Sequence, residues 1–345
     1  MRATYSDRCY QARVIRVERR LDFCVKSLFW LGNVLGIPAS FDLRAMIRKV
    51  DLEGSASLYY PPEVQRKSEG GVRIILTPKP DLMVVQGKIH DLLMRTFDRH
   101  PNTFGYMGGS CLDVAQRHVD YPSTLKFDVQ DAFFQVAMKN VRYAIRGSRY
   151  IPDQQGFSGS VSYWIAKLCT YYPPPDIIRL RYPEVNSFLP QGAPTSPVLF
   201  HLACRSLDEK LTRVAERVGG VVSRYADNYY FSIPSPHASK KLEQMVVGDA
   251  MKRGFPIHKV RRVHQGELCR ILGYNLKDGG ITNTRDFNRN LRGALYVLQT
   301  KLDRGLEWHE AYARVRGYMG VAVNTPDNLR EVYEYCKGKI VSLSS

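Results

Sequence analysis

The sequence has few of the features that mark secreted, zinc-ribbon or membrane proteins. Its seven cysteines are an odd number without any Cys-x-x-Cys pair, which argues against a disulfide framework or a zinc ribbon. The arginine-rich N-terminus lacks the apolar core of a signal peptide. The apolar run from Phe29 to Ile37 is too short to span a bilayer. We therefore expect a protein of the reducing cytoplasm with no membrane partner.

Acidic residues are scarce relative to basic ones. The 50 Lys and Arg residues against 33 Asp and Glu leave a formal net charge of +17. No repeat or low-complexity segment accounts for this excess, and the 44% of hydrophobic residues is ordinary for a globular protein. Such a charge favours a polyanionic partner, most often nucleic acid, although a generally basic solvated surface would have the same composition. The 345 residues suggest two or three lobes.

The stretch from Val221 to Ile233 predicts a β-hairpin with an acidic tip. Aromatic and β-branched residues flank the segment from Ala226 to Asn228, where the bend is expected. A carboxylate at such a tip, here that of Asp227, is held rigidly and faces solvent or a substrate. Asp and Asn are also ordinary turn residues, so the hairpin alone is equally compatible with a surface turn.

Two other stretches carry polar residues at the ends of predicted elements. A strand ends at Asp128 and a helical turn follows, so this carboxylate should point into a cleft. The Gly/Pro-rich loop over residues 189–197 leads into a helix predicted from about Thr195 to Val218. Backbone and amide groups at such a junction, including Gln191 and Gly192, suit contact with a nucleotide, although a purely structural junction would look the same.

A further hairpin is basic, with its turn at Gly70 and Gly71. Arg66, Lys67 and Arg73 surround this turn, and guanidinium groups grip phosphate oxygens in a fork, so the hairpin suits contact with a triphosphate.

Helices are predicted mainly from apolar spacing. The expected segments are a basic helix from Val14 to Leu28, one near Phe41 to Val50, one from Leu82 to Asp98 capped by Asp81, a short one from Ser110 to Val119, one over residues 238–253 and three near 288–303, 307–319 and 327–338. A strand is expected from Arg270 to Leu276, with a turn at Gly279 and Gly280. The final helices should form a small basic lobe.

The carboxylates suggest metal-assisted phosphoryl transfer. Transfer from a nucleoside triphosphate uses two divalent metals about 3.5–4 Å apart, and these metals need hard oxygen ligands. Asp128 at a strand end and Asp227 at a hairpin tip would supply two such ligands from adjacent strands. Arg73 and Lys259 are candidates to balance the triphosphate charge on opposite sides of the site.

In their order and spacing, these motifs resemble a reverse transcriptase of the bacterial type that includes retron, group II intron and phage-defence enzymes. The resemblance covers roughly residues 60–320 and adds Leu272-Gly273-Tyr274 to the stretches above. It implies an α+β right-hand polymerase fold with fingers, a palm of antiparallel sheet plus helices, and a small helical thumb. The implied domains are a basic helical extension over 1–58, fingers over 59–125, a palm over 126–284 with a fingers-type insertion around 137–188, and a helical thumb over 285–345.

The resemblance also implies a role for each matching residue. Asp128 and Asp227 match the metal-binding carboxylates, and the carbonyl of Val129 should add a ligand to two Mg²⁺ ions, with Mn²⁺ as a substitute. Phe133 matches the aromatic gate whose bulk excludes a ribose 2′-hydroxyl, and Lys259 matches a lysine that serves as a general acid near the leaving phosphates.

The remaining matches concern the nucleotide and the primer. Arg73 matches a fingers residue on the triphosphate, and Gln191, with Gly192 beside it, matches the residue next to the nucleotide sugar. Tyr225, Ala226 and Gly273 lie where the family contacts the primer end and the template.

One position departs from the family pattern. The motif usually reads Tyr-x-Asp-Asp, whereas here its last residue is Asn228. An amide oxygen can still bind a metal but attracts it less, so we expect activity with reduced metal affinity or a shifted metal preference. The alternative is a polymerase fold that has lost catalysis and serves as an RNA-binding scaffold.

The resemblance further implies an RNA template, dNTPs and a DNA product. A dedicated structured non-coding RNA is the expected template. Untemplated or protein-primed DNA synthesis by the same site is the alternative. The sequence leaves the oligomeric state undecided. The motifs leave no room for an RNase H, integrase or endonuclease domain, which favours a short stand-alone enzyme of a retron or an anti-phage defence system. Residues 137–188 lack the Asn-Ala-x-x-His signature associated with retrons, which favours the defence-associated group.

Overall fold

The computed structural model describes residues 28–37, 42–66, 71–147, 157–173, 186–235 and 240–344. Its helices are α1 (residues 28–34), α2 (Leu43–Glu53), α3 (Pro80–Thr96), α4 (Cys111–His118), α5 (Met138–Gly147), α6 (Gly159–Cys169), α7 (Ser196–Arg217), α8 (Lys240–Lys252), α9 (Arg285–Asp303), α10 (His309–Val321) and α11 (Asp327–Ser344). Short 3₁₀ helices cover Ser55–Leu58 and Ala132–Gln135. No helix in these ranges is long and apolar enough to cross a membrane.

Within the described ranges, ten strands form three sheets. They are β1 (Glu63–Arg66), β2 (Val72–Ile75), β3 (Thr103–Phe104), β4 (Ser123–Val129), β5 (Val221–Tyr225), β6 (Asn228–Ile233), β7 (Ile257–Val263), β8 (Cys269–Ile271), β9 (Tyr274–Lys277) and β10 (Gly280–Asn283). β1 and β2 pair as a hairpin, β10-β9-β8 form a second sheet, and β3-β5-β6-β4-β7 form a third. This mixture of helix and mainly antiparallel sheet agrees with the predicted α+β class.

The chain divides into two compact units. The first unit comprises Met1–Pro101, Val129–Lys210 and Val247–His258, and the second comprises Asn102–Asp128, Leu211–Val246 and Lys259–Ser345. These two units do not test the predicted boundaries of fingers, palm and thumb, which stay predictions.

The first unit is built mainly from helices around buried apolar side chains. Trp164 of α6 and Ile89 of α3 are fully buried. The buried amide of Gln86 donates to the hydroxyl of Tyr59 at 3.0 Å and to the carbonyl of Leu168 at 2.8 Å. Because an unsatisfied polar group would be costly in this interior, these bonds fix how α3 meets its neighbours.

The second unit contains the five-stranded sheet. Helix α4 and the β8–β10 sheet contribute to one apolar cluster with this sheet, which includes Val114, Tyr230 and Ile271. Helices α9, α10 and α11 bury a separate cluster of their own, with Leu291, Val315 and Cys336 among its members. The predicted three-helix C-terminal segment is thus present.

A buried polar chain crosses the second unit. His118 is 1% exposed, and its Nδ1 lies 2.7 Å from the Ser232 hydroxyl, which lies 2.7 Å from the Thr124 hydroxyl. Burial, assisted by the positive charges of Arg117 and Lys126, lowers the pKa of His118 to about 3. The imidazole is therefore neutral at physiological pH.

Three local predictions are wrong. Asp81 does not cap its helix, because Pro80 occupies the first turn after Lys79 at the N-cap, and Asp81 instead lies inside that turn. The predicted strand from Arg270 to Leu276 is divided into β8 and β9, since Leu272 and Gly273 turn with φ of 48° and 91°.

The third concerns Asn228, which was expected in the bend. It opens β6 and pairs with Tyr225, so the turn contains only Ala226 and Asp227. The predicted N-terminal helix lies outside the described residues except at Leu28, and so does Gly70 of the basic hairpin.

Candidate active site

The register of the central strands gathers the motif residues at one end of the sheet. Asp128 on β4 pairs with Asn228 on β6, and Asn228 also pairs with Tyr225 on β5. Directly paired residues of antiparallel strands have Cα atoms about 4.5–5.5 Å apart. Asp227 immediately precedes Asn228, so the two aspartates occupy neighbouring positions, both half-buried.

The alternation of side chains explains why Asp128 is available there. Phe127, the preceding residue on β4, is buried and stacks on Tyr229 with ring centroids 5.0 Å apart and nearly parallel planes. Successive side chains of a strand point to opposite faces. Burial of Phe127 therefore directs Asp128 to the other face, the one that also carries Asn228.

A buried arginine holds the turn that carries Asp227. Ala226 has a positive φ of 56°, which is unfavourable for a residue with a Cβ. Arg224, only 1% exposed, donates from Nη1 to the carbonyl of Ala226 at 2.9 Å. The N–H of Ala226 donates to the carbonyl of Phe104 at 3.4 Å, and that of Arg224 to the carbonyl of Asn102 at 2.8 Å. These bonds offset the strain and keep the turn in one conformation.

The sequence pattern alone did not predict this support. Arg224 was not singled out, although an arginine inside an apolar hairpin is a signal, since a buried guanidinium must find partners. The pairing of β3 with β5 is parallel and joins residues far apart in the chain. No local sequence pattern predicts such a strand pairing.

A glycine and a cysteine lie against Tyr225. A Cβ on Gly105, which has φ of +95°, would be 3.5 Å from the Tyr225 ring and 3.6 Å from the nitrogen of Ala226. A hydrogen bond to the thiol of Cys111 and then burial raise the pKa of Tyr225 to about 12. The phenol thus stays protonated at neutral pH. Cys111 was also missed, because nothing in its sequence context indicates contact with the motif.

The amide of Asn228 contacts the neighbouring carboxylate. Its Nδ2 donates to Oδ1 of Asp227 at 3.0 Å. An aspartate at position 228 would instead bring a second negative charge to the same place. The amide therefore lowers the negative charge of the site and orients Asp227 through a hydrogen bond to a charged group.

The donor set suits a hard divalent cation. In the described part of the chain, no group of three His, Cys, Asp or Glu side chains could hold a metal alone. Asp128, Asp227 and the Val129 carbonyl are nevertheless all oxygen donors. Mg²⁺ typically takes one or two protein carboxylates and completes its shell with water and substrate phosphates. The residues present fit that pattern.

In the first unit, a loop joins the predicted nucleotide residues. The N–H of Leu189 donates to the carbonyl of Phe133 at 3.1 Å, and the N–H of Leu76 donates to the carbonyl of Gln191 at 2.7 Å. Arg73 is exposed on β2, three residues before Leu76. The structure thus brings Phe133 and Gln191 together with the strand end that follows Arg73.

Gly192 makes this arrangement feasible. Its φ is +110°, and an added Cβ would lie 3.0 Å from the carbonyl oxygen of Leu76 and 3.1 Å from Cγ2 of Ile75. Only glycine combines this backbone conformation with such a close approach to a neighbouring backbone. Gly192 was expected only as a loop residue beside the nucleotide, and its contact with β2 was not predicted.

The other predicted residues have surroundings compatible with their roles, which stay predictions. Phe133 is half-buried and its ring meets Phe200 edge-on at 5.5 Å. Lys259 is exposed on β7, an edge strand of its sheet. Gly273 is exposed in the β8–β9 turn, with nothing within 4 Å of an added Cβ.

Comparison with known proteins bears on this site. The retron Mx162 reverse transcriptase of Myxococcus xanthus is 28% identical over 291 residues, which cover 77% of this chain and 57% of that protein. The retron Mx65 reverse transcriptase of the same organism is 26% identical over 251 residues, covering 71% and 57%. The solved structure of telomerase from Candida albicans has a TM-score of 0.47 at 13% identity, covering 82% of this chain and 54% of that one.

The chain thus spans little more than half the length of these two relatives. Both relatives are retron enzymes, so the preference for the defence-associated group finds no support in them. A family model for reverse transcriptase (RNA-dependent DNA polymerase) matches residues 64–276, more than half of the chain and all of the motifs discussed above. This match confirms the predicted resemblance and, with it, the α+β polymerase fold class. The chain belongs to the reverse transcriptase (RNA-dependent DNA polymerase) family.

Proposed function

We propose that this protein is an RNA-directed DNA polymerase that joins dNTPs to a primer by two-metal nucleotidyl transfer. The observation that carries the proposal is the strand register, in which Asp128 pairs with Asn228 next to Asp227. A rigid pair of carboxylates at a sheet end is what nucleotidyl transfer requires. Family membership supports the same reaction.

Asp128, Asp227 and the carbonyl of Val129 would hold the metals, Mg²⁺ or Mn²⁺. When bound, the ions supply charge neutralisation at the phosphates and a lower pKa for the attacking hydroxyl. The chain's own contribution is positioning, since Arg224 and Gly105 keep the Asp227 turn and the Tyr225 ring in place. Restricting these groups in advance avoids an entropic cost during the reaction.

The nucleotide contacts are proposed from the first unit and from β7. The exposed guanidinium of Arg73 would bind the triphosphate in a fork, and Lys259 would donate a proton to the leaving pyrophosphate. Gln191 would contact the nucleotide beside the ring of Phe133, whose bulk would reject a 2′-hydroxyl. The half-buried ring of Phe133 keeps part of its surface available for this contact.

The proposed template is RNA, in keeping with the net charge of +17. The names of the two relatives support a retron-type system. A dedicated structured RNA as template, a cytoplasmic location and an anti-phage role are further parts of the proposal.

A second function is favoured by the Asn228 side chain. Its bond to Asp227 occupies a carboxylate oxygen that a metal would otherwise use. A protein that binds RNA without copying it would tolerate this arrangement. The scaffold function therefore stays a competing proposal until incorporation is measured.

The decisive experiment is sequencing of the nucleic acid that copurifies with the protein, with an Asp227→Ala variant beside it. A discrete RNA with complementary DNA in the wild type alone supports templated synthesis. Random or homopolymeric DNA would indicate untemplated synthesis. RNA alone in both samples would favour the scaffold and count against the polymerase.

A further inference from the structure

Helix α5 carries a basic face that the proposed reaction does not use. The segment Met138–Gly147 contains three basic residues and no acidic one. Val141 and Ile145 point into the core and are fully buried. On the opposite side, the exposed residues follow helical spacing of i, i+3, i+4 and i+7. They are Lys139, Arg142, Tyr143 and Arg146, and we call them the α5 face.

The cations of the α5 face lack acidic partners among the described residues. The guanidinium of Arg142 lies 5.9 Å from the centroid of the Tyr163 ring, where it gains a cation–π contact. Both guanidinium groups lie near Gly159, where an added Cβ would be in ordinary contact at 3.7 Å from Nη2 of Arg142 and 4.0 Å from Cζ of Arg146. Within the described residues, these side chains are thus exposed without a compensating carboxylate.

An open cleft of about 370 Å³ adjoins this face. Asn140, Tyr143 and Ala144 line it from α5. Arg205, Ser206 and Glu209 line it from α7, where Nε of Arg205 lies 3.3 Å from the Glu209 carboxylate. Tyr143 lies at the edge of the cleft and is 70% exposed. An exposed aromatic ring offers a flat surface on which a base can stack. The amide, hydroxyl and guanidinium groups that line the same cleft could form hydrogen bonds with that base.

We propose that the α5 face binds a single-stranded segment of RNA. Bases would stack on Tyr143 at the mouth of the cleft, while the phosphates would contact the three cations, which extend over about 10 Å of helix. A duplex keeps its bases stacked inside and could not use the ring. This proposal rests on the proposed function for one point only, namely that the polyanion bound at the α5 face is RNA.

The test uses the full chain preloaded with saturating unlabelled RNA–DNA primer–template. The probe is a fluorescein-labelled 12-nucleotide oligouridylate, which has little secondary structure, and anisotropy is measured across a range of salt concentrations. Replacing Lys139, Arg142 and Arg146 together by Glu should weaken binding at least 10-fold. The same change should make the slope of log K against log salt about 2 units shallower, because single strands release roughly 0.7 counterions per contact.

Tyr143 separates stacking from charge. Tyr143→Ala should weaken binding about 5-fold or more, whereas Tyr143→Phe, which keeps the ring, should stay within about 2-fold of wild type. The matched charge control replaces Lys240, Lys241 and Lys252, all exposed on α8, by Glu. This variant changes the net charge by the same amount as the α5 triple variant, and it should bind the probe with wild-type affinity.

The proposal is overturned if the α8 control loses as much affinity for the probe as the α5 triple variant, or if Tyr143→Ala binds the probe as tightly as wild type. It is also overturned if wild type binds a 12-base-pair RNA duplex as tightly as the single-stranded probe. A preference for anionic phosphatidylserine vesicles that displace the probe would also overturn it. Primer extension should be unaffected in every α5 variant. If wild type binds the probe but never extends a primer, the polymerase proposal fails while the α5 face stands.

Discussion

Replacing Gly192 by alanine would test how the 189–192 loop is held against β2. Alanine at φ of +110° costs about 1–3 kcal/mol in backbone strain. Its Cβ would lie 3.0 Å from the Leu76 oxygen, and relieving such overpacking adds about 1–3 kcal/mol. We therefore expect the free energy of unfolding to fall by about 2–6 kcal/mol in all.

Gly108→Ala is the matched control. Gly108 has a similar φ of +104°, but nothing lies within 4 Å of an added Cβ. Only the strain of about 1–3 kcal/mol should apply there. The difference between the two variants, about 1–3 kcal/mol, isolates the contact between Gly192 and β2. Urea unfolding followed by tryptophan fluorescence measures it, since Trp164 lies in the unit of Gly192 and Trp308 lies in the unit of Gly108.

The same substitution should affect nucleotide use. To accept the methyl group, the loop must move away from β2, which stretches the 2.7 Å bond between the Leu76 N–H and the Gln191 carbonyl. A loss of about 10-fold in kcat/KM for dNTP, or about 1.4 kcal/mol, is expected in steady-state primer extension. If Gly192→Ala and Gly108→Ala are equally stable and equally active, the loop does not depend on this contact and the reasoning is refuted.

Three other changes test separate parts of the molecule. Asn228→Asp should retain or raise primer extension with Mg²⁺, because it adds a carboxylate beside Asp227; complete loss would mean that the Nδ2 bond to Asp227 is essential. Phe133→Ala should admit ribonucleotides, and unchanged dNTP-to-rNTP selectivity would remove the gate assignment. Burial lowers the pKa of His118 from 6.5 to about 3, so below pH 6.5 the unfolded chain takes up the proton first. Unfolding free energy should therefore fall by about 2 kcal/mol more between pH 7 and pH 5 in wild type than in His118→Gln, and identical pH slopes in urea titrations would contradict this.

The local elements could be predicted from the sequence because neighbours along the chain determine them. Apolar spacing located the three C-terminal helices, and the apolar and aromatic run from Val221 to Ile233 predicted the hairpin that β5 and β6 form. The strand that carries Asp128 also followed from its local pattern, although it ends one residue later than predicted, at Val129. Exceptions arose at single positions, such as Asp81, where Pro80 began the helix earlier than a capping rule predicts.

The contacts that the predicted site residues make in the structure were not foreseen from the sequence. Asp128 and Asp227 were expected on adjacent strands, and the register of β4 with β6 places them there. The chemical roles stay predictions, because they concern substrates and metals. Asn228 was expected to act through its oxygen, whereas its nitrogen donates to Asp227.

By itself, the sequence determined the family, the order of helices and strands, and the excess of basic charge. Only the tertiary structure decided that Arg224 is buried and holds the Ala226 carbonyl, that β3 runs parallel to β5, and that Gly192 lies against β2. The physical reason is separation along the chain. Phe104 and Tyr225, or Leu76 and Gln191, are more than a hundred residues apart. Their contacts depend on how whole elements pack, which no local pattern of residues encodes.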